Sequence, residues 1–171
     1  MDLSTLAPSD AVVALRGLER RYRGLFFGLG EDESPDDIAH RPVQGWSALE
    51  HIVAGAWGIA GADRALAAVL TVDHPVLAPE DVDPAARPKP GPPTGTVHER
   101  IAELGIEANG AADRIEHVPA KDWDRAGSVA GGDRTVTALD LARLAVDAGV
   151  THLRAAEEVL AAVRRRPVEP S

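Results

Sequence analysis

The stretches Gly45-Trp46-Ser47-Ala48-Leu49-Glu50-His51 and Val150-Thr151-His152-Leu153-Arg154 decide the fold of this chain. In the first stretch, Ser47 and Glu50 have the spacing of a capping box, which predicts that a helix begins there. The second stretch lies in the middle of another helix, because apolar residues recur around it at helical spacing. Each stretch carries one histidine on an inward-facing stripe, so together they predict two halves of one binding site on a helical bundle.

Apolar residues at alternating spacings of three and four predict four long helices. The stripe of the first helix consists of Ala11, Leu15, Leu18, Tyr22, Leu25 and Leu29. Each helix follows a side-chain oxygen that can bond to the free amides of the first turn. These starts lie near Ser9 or Asp10, at Ser47 with Glu50, at Thr96 with Glu99, and at Thr137 with Asp140.

The connections between these helices differ in length and composition. Residues 73–95, between the second and third helices, are rich in proline and predict a long, partly extended crossover. Residues 120–134 predict an ordered loop anchored by Trp123. We expect one domain over residues 1–166, with cationic side chains ending the last helix, and a flexible tail over 167–171.

Composition narrows the class of protein. Because 4% of the 171 residues are aromatic and 44% are hydrophobic, the core must consist mainly of aliphatic side chains, which favours an all-α domain. A net charge of -9 disfavours nucleic acid and anionic membranes as partners. Without cysteine, a signal-peptide pattern or an apolar run of about 18 residues, the sequence predicts a cytoplasmic protein.

Small residues cover one face of the second helix and one face of the fourth. These faces comprise Ala54, Gly55, Gly58, Gly61, Ala62 and Ala65, and Ala142, Ala145, Ala148, Gly149, Ala155 and Ala156. Each interior glycine costs about 1 kcal/mol relative to alanine, so three in one helix need a compensating reason. Either another helix approaches closely or a cavity is kept open for a ligand. Trp57 either lines a pocket or fills the core, and the second is expected.

His51 and His152 are the candidate acid–base groups. A single histidine on an apolar face is usually a hydrogen-bonded structural residue, but two on different helices favour a site. The remaining histidines, at 40, 74, 98 and 117, are expected to face solvent. Asp147, Glu50 and Tyr22 are candidates for orienting the imidazoles.

The sequence resembles the DinB/YfiT superfamily, which includes mycothiol-dependent maleylpyruvate isomerases and bacillithiol transferases. The resemblance rests on Gly-Trp-Ser opening the second helix, the long crossover after it, Trp123-Asp124-Arg125 and the fourth-helix segment 141–154. It implies a four-helix bundle of DinB/YfiT type. The Ala-, Arg- and Gly-rich composition suggests a high-GC actinobacterial source.

The resemblance also implies three metal ligands, at positions that hold Ala54, Ala148 and His152 here. A catalytic transition metal normally needs three protein ligands, so this set is degenerate. His51, one turn before Ala54, could supply a second imidazole, and a water or a partner subunit could complete a zinc or nickel site. We nevertheless expect no native metal, with mycothiol a potential co-substrate.

Two functional hypotheses follow. In the first, the protein is a metal-independent small-molecule enzyme, a thiol transferase, isomerase or cyclase, with its substrate between the second and fourth helices. Its catalytic residues would be His51, His152 and Asp147, and its substrate would contact Trp46, Ala54, Gly55, Gly58, Tyr22 and Ala148. In the second, it is a non-catalytic ligand-binding or dimerising module. Members of this superfamily are often dimers, so a homodimer is a candidate oligomeric state, which the sequence itself does not determine.

Overall fold

The computed structural model describes residues 5–30 and 33–165, and its main body is a bundle of long helices, which confirms the predicted all-α four-helix bundle. The first predicted helix corresponds to α1 (Pro8–Arg16) and α2 (Leu18–Gly24), and the others are α4 (Ala48–Thr71), α6 (Val97–Glu116) and α7 (Ala138–Arg165). The two short helices are α3 (Pro35–Ala39) and α5 (Pro79–Val82). Single 3-10 turns lie at Pro84–Ala86 and Ala120–Asp122.

The first helical segment differs from its prediction in both its start and its continuity. It begins at Pro8, where the fixed φ of proline suits a first helical position. It is interrupted at Gly17 and ends at Gly24. Leu25 and Leu29 therefore lie beyond the helix, where they are half-buried. Periodicity alone missed this because both leucines still face the bundle.

The three predicted capping pairs are confirmed. Ser47 Oγ accepts a hydrogen bond from the Glu50 amide at 3.1 Å, while the Glu50 carboxylate accepts one from the Ser47 amide at 2.6 Å. The same reciprocal bonds join Thr96 with Glu99 at the start of α6. Thr137 and its partner carboxylate, three residues on, repeat them at the start of α7. Each pair satisfies amides that the first helical turn leaves free.

A small sheet was not predicted. β1 (Val76–Leu77) pairs parallel to β2 (Ala126–Val129), which pairs antiparallel to β3 (Thr135–Thr137). The strands have only two to four residues, too few for an alternating pattern to be visible in the sequence. Trp123 packs against the core as predicted. The sheet ties the beginning of the crossover, at Val76–Leu77, to the segment before α7.

The small faces of α4 and α7 pack directly against each other in antiparallel orientation. A Cβ built on Gly58 would lie 2.6 Å from the Ala148 Cβ, and one built on Gly55 would lie 2.9 Å from the Tyr22 hydroxyl oxygen. A Cβ on Gly61 would lie 3.0 Å from the Asp81 carboxylate. Of the two explanations for these glycines, close approach is therefore the one that the structure supports.

By length and composition alone, helix α4 is long and apolar enough to cross a membrane, although Asp63 and Arg64 interrupt its apolar run before it reaches 18 residues. However, 61% of its most apolar 18-residue window is buried inside the molecule. Such burial is typical of the core helix of a soluble bundle, where the helix is apolar because it packs against other helices.

Cationic side chains lie at the carboxyl end of α7, as predicted. Arg164 Nη2 donates to the Leu25 carbonyl at 3.2 Å, and Arg165 Nε donates to the Ala161 carbonyl at 3.1 Å, so cations do lie at the carboxyl end of α7. Arg166 and the predicted tail over 167–171 lie outside the described residues. The domain boundary at 166 stays a prediction.

Candidate functional site

The structure brings His51 and His152 together. His51 lies one turn into α4 and His152 lies in the middle of α7, and their Nδ1 atoms are 3.2 Å apart, within hydrogen-bond distance. Both side chains are half-buried. The pair forms because α4 and α7 run antiparallel and the absent side chain at Gly55 lets α7 approach, with the His152 Cβ only 3.3 Å from the Gly55 Cβ position.

Between two neutral imidazoles, a hydrogen bond that joins the Nδ1 atoms requires complementary tautomers. One imidazole must carry its proton on Nδ1 and donate, while the other must carry its proton on Nε2 and accept. Burial lowers the pKa of His152 to about 4, and the neighbouring His51 and Arg87 add to the effect. Burial also lowers the pKa of His51, although the carboxylates of Glu50 and Glu158 oppose this. Both imidazoles are therefore neutral at pH 7, so the bond between them joins complementary tautomers.

Trp46 covers the pair on one side. Its ring stacks on His51 with a centroid distance of 4.7 Å and an interplanar angle of 17°, and its centroid lies 6.3 Å from that of His152. The Lys89 ammonium lies 5.1 Å from the centroid of Trp46, on which it makes a cation–π contact. Trp46 thus joins the two histidines to the crossover.

Lys89 is held in place by the start of α4. Its Nζ lies 3.2 Å from the Glu50 carboxylate and donates to the Gly45 carbonyl oxygen. Burial alone would raise the pKa of Glu50, but the Ser47 hydrogen bonds and the Lys89 ammonium hold it below its usual range. The capping carboxylate of α4 therefore also fixes the crossover over the histidine pair.

A cavity of about 300 Å³ opens beside His152. Its wall combines α4, α7 and the crossover. The lining residues are Trp46, Ala54, Trp57, Pro84, Arg87, Pro88, Lys89, Pro90, Thr151 and His152. Much of this wall is proline, tryptophan and alanine, and its charged groups are the cations Arg87 and Lys89. The cavity therefore suits a small molecule with an apolar body and a negative group.

The predicted substrate contacts divide into two groups. Trp46 and Ala54 line the cavity. Gly55, Gly58 and Ala148 do not line it, since they lie in the α4–α7 contact where side chains occupy the space beside the glycines.

Tyr22 is fully buried beneath the site instead of facing the cavity. Its hydroxyl donates to the Gly149 carbonyl at 2.8 Å, inside α7. Burial raises the pKa of this phenol well above its usual range, and the Arg21 charge opposes this only in part. Tyr22 therefore supports α7 close to His152 as a neutral hydrogen-bond donor.

Asp147 is not brought to the histidines. It lies five residues before His152, which turns it about 140° away around α7. Its carboxylate accepts a hydrogen bond from the Thr151 hydroxyl at 3.3 Å. Its predicted role in orienting an imidazole therefore finds no support in this geometry.

Two further outcomes concern aromatic and histidine side chains. Trp57 is 47% exposed and lines the cavity, so the expectation that it fills the core is wrong. The histidines at 40, 74, 98 and 117 are exposed, as predicted.

Sequence analysis missed Arg87 and Lys89, which belong to the crossover. Neither lies on a periodic stripe, and only the folded path of residues 84–90 brings them over the α4–α7 contact. The available signal was composition: two cations sit within the proline-rich segment Arg87-Pro88-Lys89-Pro90 of an otherwise acidic chain.

The residues present do not fit the metal site that the resemblance implies. Of the three implied positions, Ala54 and Ala148 have no donor atom, and His152 shares its Nδ1 with His51. Throughout residues 5–30 and 33–165, no group of three histidine, cysteine, aspartate or glutamate side chains could hold a metal ion. A catalytic metal usually needs three such ligands.

Comparison with known proteins identifies a likeness of fold. No protein-family model matches the sequence, and no curated protein matches it. Among solved structures, the chain is similar to YfiT from Bacillus subtilis, a probable metal-dependent hydrolase with an unusual four-helix bundle topology. The TM-score is 0.70 at 14% sequence identity, over 89% of this chain and 85% of that one. The protein thus has a DinB/YfiT-like four-helix-bundle fold. At the level of the fold, this likeness confirms the resemblance seen in the sequence.

Proposed function

We propose that this protein is a metal-independent, cytoplasmic enzyme that transfers protons on a small molecule bound in the cavity beside His152. The reaction would be an isomerisation, a cyclisation or the activation of a thiol. The observation that carries the proposal is the 3.2 Å contact between the Nδ1 atoms of two neutral imidazoles. Such a pair can take up a proton at one end and release one at the other.

The proton balance of the pair follows from its tautomers. The imidazole that donates from Nδ1 has a free lone pair on Nε2, so it can act as a base there. When it accepts a proton, its Nδ1 proton can pass to Nδ1 of the second ring, which then releases its own Nε2 proton. The two rings exchange tautomers, and the net result is one proton moved across the pair.

Three features of the surroundings of the histidine pair support this chemistry. Trp46 stacks on His51, and an aromatic face stabilises a transient imidazolium. Tyr22 hydrogen-bonds to α7 one turn before His152, which restricts the helix that carries it. The cavity adjoins His152 directly. A purely structural histidine pair would need neither an adjoining cavity nor cations at its edge.

A thiol co-substrate such as mycothiol is compatible with the same pair. A free thiol has a pKa of about 8.5, so a neutral imidazole at hydrogen-bond distance can accept its proton. The chain has no cysteine, so any thiolate in the reaction must come from a small molecule.

The experiment is a metal-free proton-exchange assay. The protein is treated with EDTA and incubated at pH 7 in D₂O with small carboxylic acids that carry an acidic C–H bond, with and without a thiol. Proton NMR follows the loss of the C–H signal or the appearance of an isomer. The variants are His51→Gln and His152→Gln, with His98→Gln as the matched control because it is an exposed helical histidine.

We expect the wild type and His98→Gln to catalyse exchange, and each variant of the pair to be slower by about 100-fold or more with its circular dichroism unchanged. Activity that appears only on addition of zinc or nickel would overturn the metal-independent mechanism. Binding of panel compounds without exchange would indicate a non-catalytic ligand-binding module instead.

A further inference from the structure

Arg87 is a half-buried cation without a carboxylate partner among the described residues. Its Nε donates to the Glu80 carbonyl at 2.7 Å, and its Nη2 donates to the Asp81 carbonyl at 3.1 Å. Both bonds go to neutral backbone oxygens, and in the described part of the chain Nη1 has no hydrogen-bond acceptor. Removing a cation from water without an opposite charge is costly, so such a group favours binding an anion.

The two carboxylates nearest in sequence are engaged elsewhere. The Asp81 carboxylate accepts a hydrogen bond from Arg64 at 2.6 Å, and the Asp83 carboxylate accepts one from the Ala85 amide at 2.9 Å. They raise the pKa of Arg87 through space, but burial outweighs them and lowers it. Neither forms an ion pair with the guanidinium, so its charge is only partly balanced.

The position of the guanidinium explains what it could bind. Nη1 lies 2.7 Å from the Cβ position of Gly58, a position that is also 2.6 Å from the Ala148 Cβ. Arg87 lines the same cavity as Ala54 and His152. It therefore supplies a fixed positive charge among the three positions where the resemblance implies metal ligands. Gly58 makes this possible, because any larger residue would meet the guanidinium.

We propose that the Arg87 guanidinium is an anion site that binds the carboxylate of a small, flat, apolar acid, with the body of that acid against Trp46 and Trp57. The inference rests on the proposed function, because it names the substrate class for the same cavity. A planar guanidinium presents parallel N–H donors that match a carboxylate, which a lysine ammonium does not.

The walls of the cavity favour a flat apolar body over an extended polar one. Trp57 is 47% exposed beside the site, which leaves an aromatic face available. Pro84, Pro88 and Pro90 add apolar surface on the crossover side. Lys89 is already paired with Glu50. Arg87 is therefore the cation whose N–H groups are available for an added anion, since its Nη1 has no acceptor among the described residues. A monocarboxylate therefore matches the site better than a dianion.

Benzoate and its neutral analogue benzamide test this directly, because they share a ring and differ in charge. Isothermal titration calorimetry measures both against the wild type, Arg87→Gln and Arg64→Gln. Arg64 is the matched control, since it is an arginine of the same region whose side chain is 64% exposed and does not line the cavity. Arg87→Lys serves as a second variant that keeps the charge but not the planar fork.

We expect the wild type to bind benzoate at least about tenfold more tightly than benzamide, as a charge-assisted hydrogen bond predicts. Arg87→Gln should lose this preference, Arg87→Lys should retain only part of it, and Arg64→Gln should keep it. Equal affinity for the two compounds, no saturable binding of benzoate, or an unchanged preference in folded Arg87→Gln would overturn the proposal. If Arg87→Gln does not fold, the wild-type comparison and Arg87→Lys decide.

This test is separate from the test of catalysis. It measures binding without turnover, so a failed proton-exchange assay with selective benzoate binding would leave the anion site standing and remove only the proposed reaction. Proton exchange that depends on His51 and His152, without carboxylate preference, would retain the reaction and remove the anion site.

Discussion

Acidification should destabilise the protein through His152 in a specific pH window. The pKa of His152 is lowered to about 4 in the folded chain, whereas a solvated histidine has a pKa of 6.5. Above pH 6.5 both the folded and unfolded states hold a neutral imidazole, so the residue contributes no pH dependence. Between pH 6.5 and about 4 the unfolded state binds the proton and the folded state does not. Stability therefore falls as the pH falls through this window.

The magnitude follows from the interval between these two pKa values. At about 1.4 kcal/mol for each pKa unit, the whole interval corresponds to about 3 kcal/mol. Because the side chain is only half-buried, solvent screens part of this, and we expect about half the full amount. At pH 5, part-way through the window, the expected loss is about 1 kcal/mol.

The assay is urea unfolding followed by circular dichroism at pH 7.5, 6 and 5. Carboxylates also titrate in this range, so the informative quantity is the difference between the wild type and His152→Gln. His117→Gln is the control, since His117 is an exposed histidine at the end of α6. From pH 7.5 to pH 5 the wild type should lose about 1 kcal/mol more stability than His152→Gln, and the control should follow the wild type.

Two results would refute this reasoning. Parallel pH dependence in the wild type and His152→Gln would mean that the imidazole titrates as a solvated group. A wild type that gains stability relative to His152→Gln as the pH falls would mean that the folded state raises the pKa of the histidine, which would require a carboxylate partner instead of His51.

Three further predictions concern the packing that supports the site. Gly58→Ala should destabilise by about 1–3 kcal/mol because its methyl group would meet Ala148, and equal stability in chemical denaturation would contradict the close contact. Gly110→Ala, on α6 where nothing lies within 4 Å of the added Cβ, should instead stabilise by about 0.5–1 kcal/mol, and any loss would contradict the open surface there. Tyr22→Phe removes the bond to the Gly149 carbonyl and should cost about 1 kcal/mol in the same assay, whereas a neutral effect would mean that the bond contributes nothing.

The helices of this protein could be predicted because their signals are local. Capping at Ser47 and Thr96 depends on residues three positions apart, and the apolar stripes repeat within each helix. The interruption at Gly17 was missed because the stripe continues across it. The sheet was missed because its strands are very short, and because β1 pairs with β2 across about fifty residues, a separation that no local pattern records.

The site could be predicted only where it lies on regular helices. His51 and His152 were identified because each falls on the apolar stripe that marks the inward face of its helix. Arg87 and Lys89 were not, since their positions depend on the fold of the crossover. The contribution of Asp147 also depends on tertiary geometry: a separation of five residues turns its side chain about 140° from that of His152 around α7, and its carboxylate bonds to Thr151.

The most direct test of the central claim is the tautomeric state of His51 and His152. Long-range ¹⁵N–¹H NMR of the ¹⁵N-histidine-labelled, metal-free protein at pH 7 distinguishes Nδ1–H from Nε2–H imidazoles, and His51→Gln and His152→Gln assign the signals. We expect one ring of the pair to be the Nδ1–H tautomer, the other to be the Nε2–H tautomer, and His152, whose pKa is about 4, to stay neutral as the pH is lowered to 5.5. Two rings in the same tautomer, or an imidazolium at neutral pH, would contradict the hydrogen-bonded pair on which the proposed function rests.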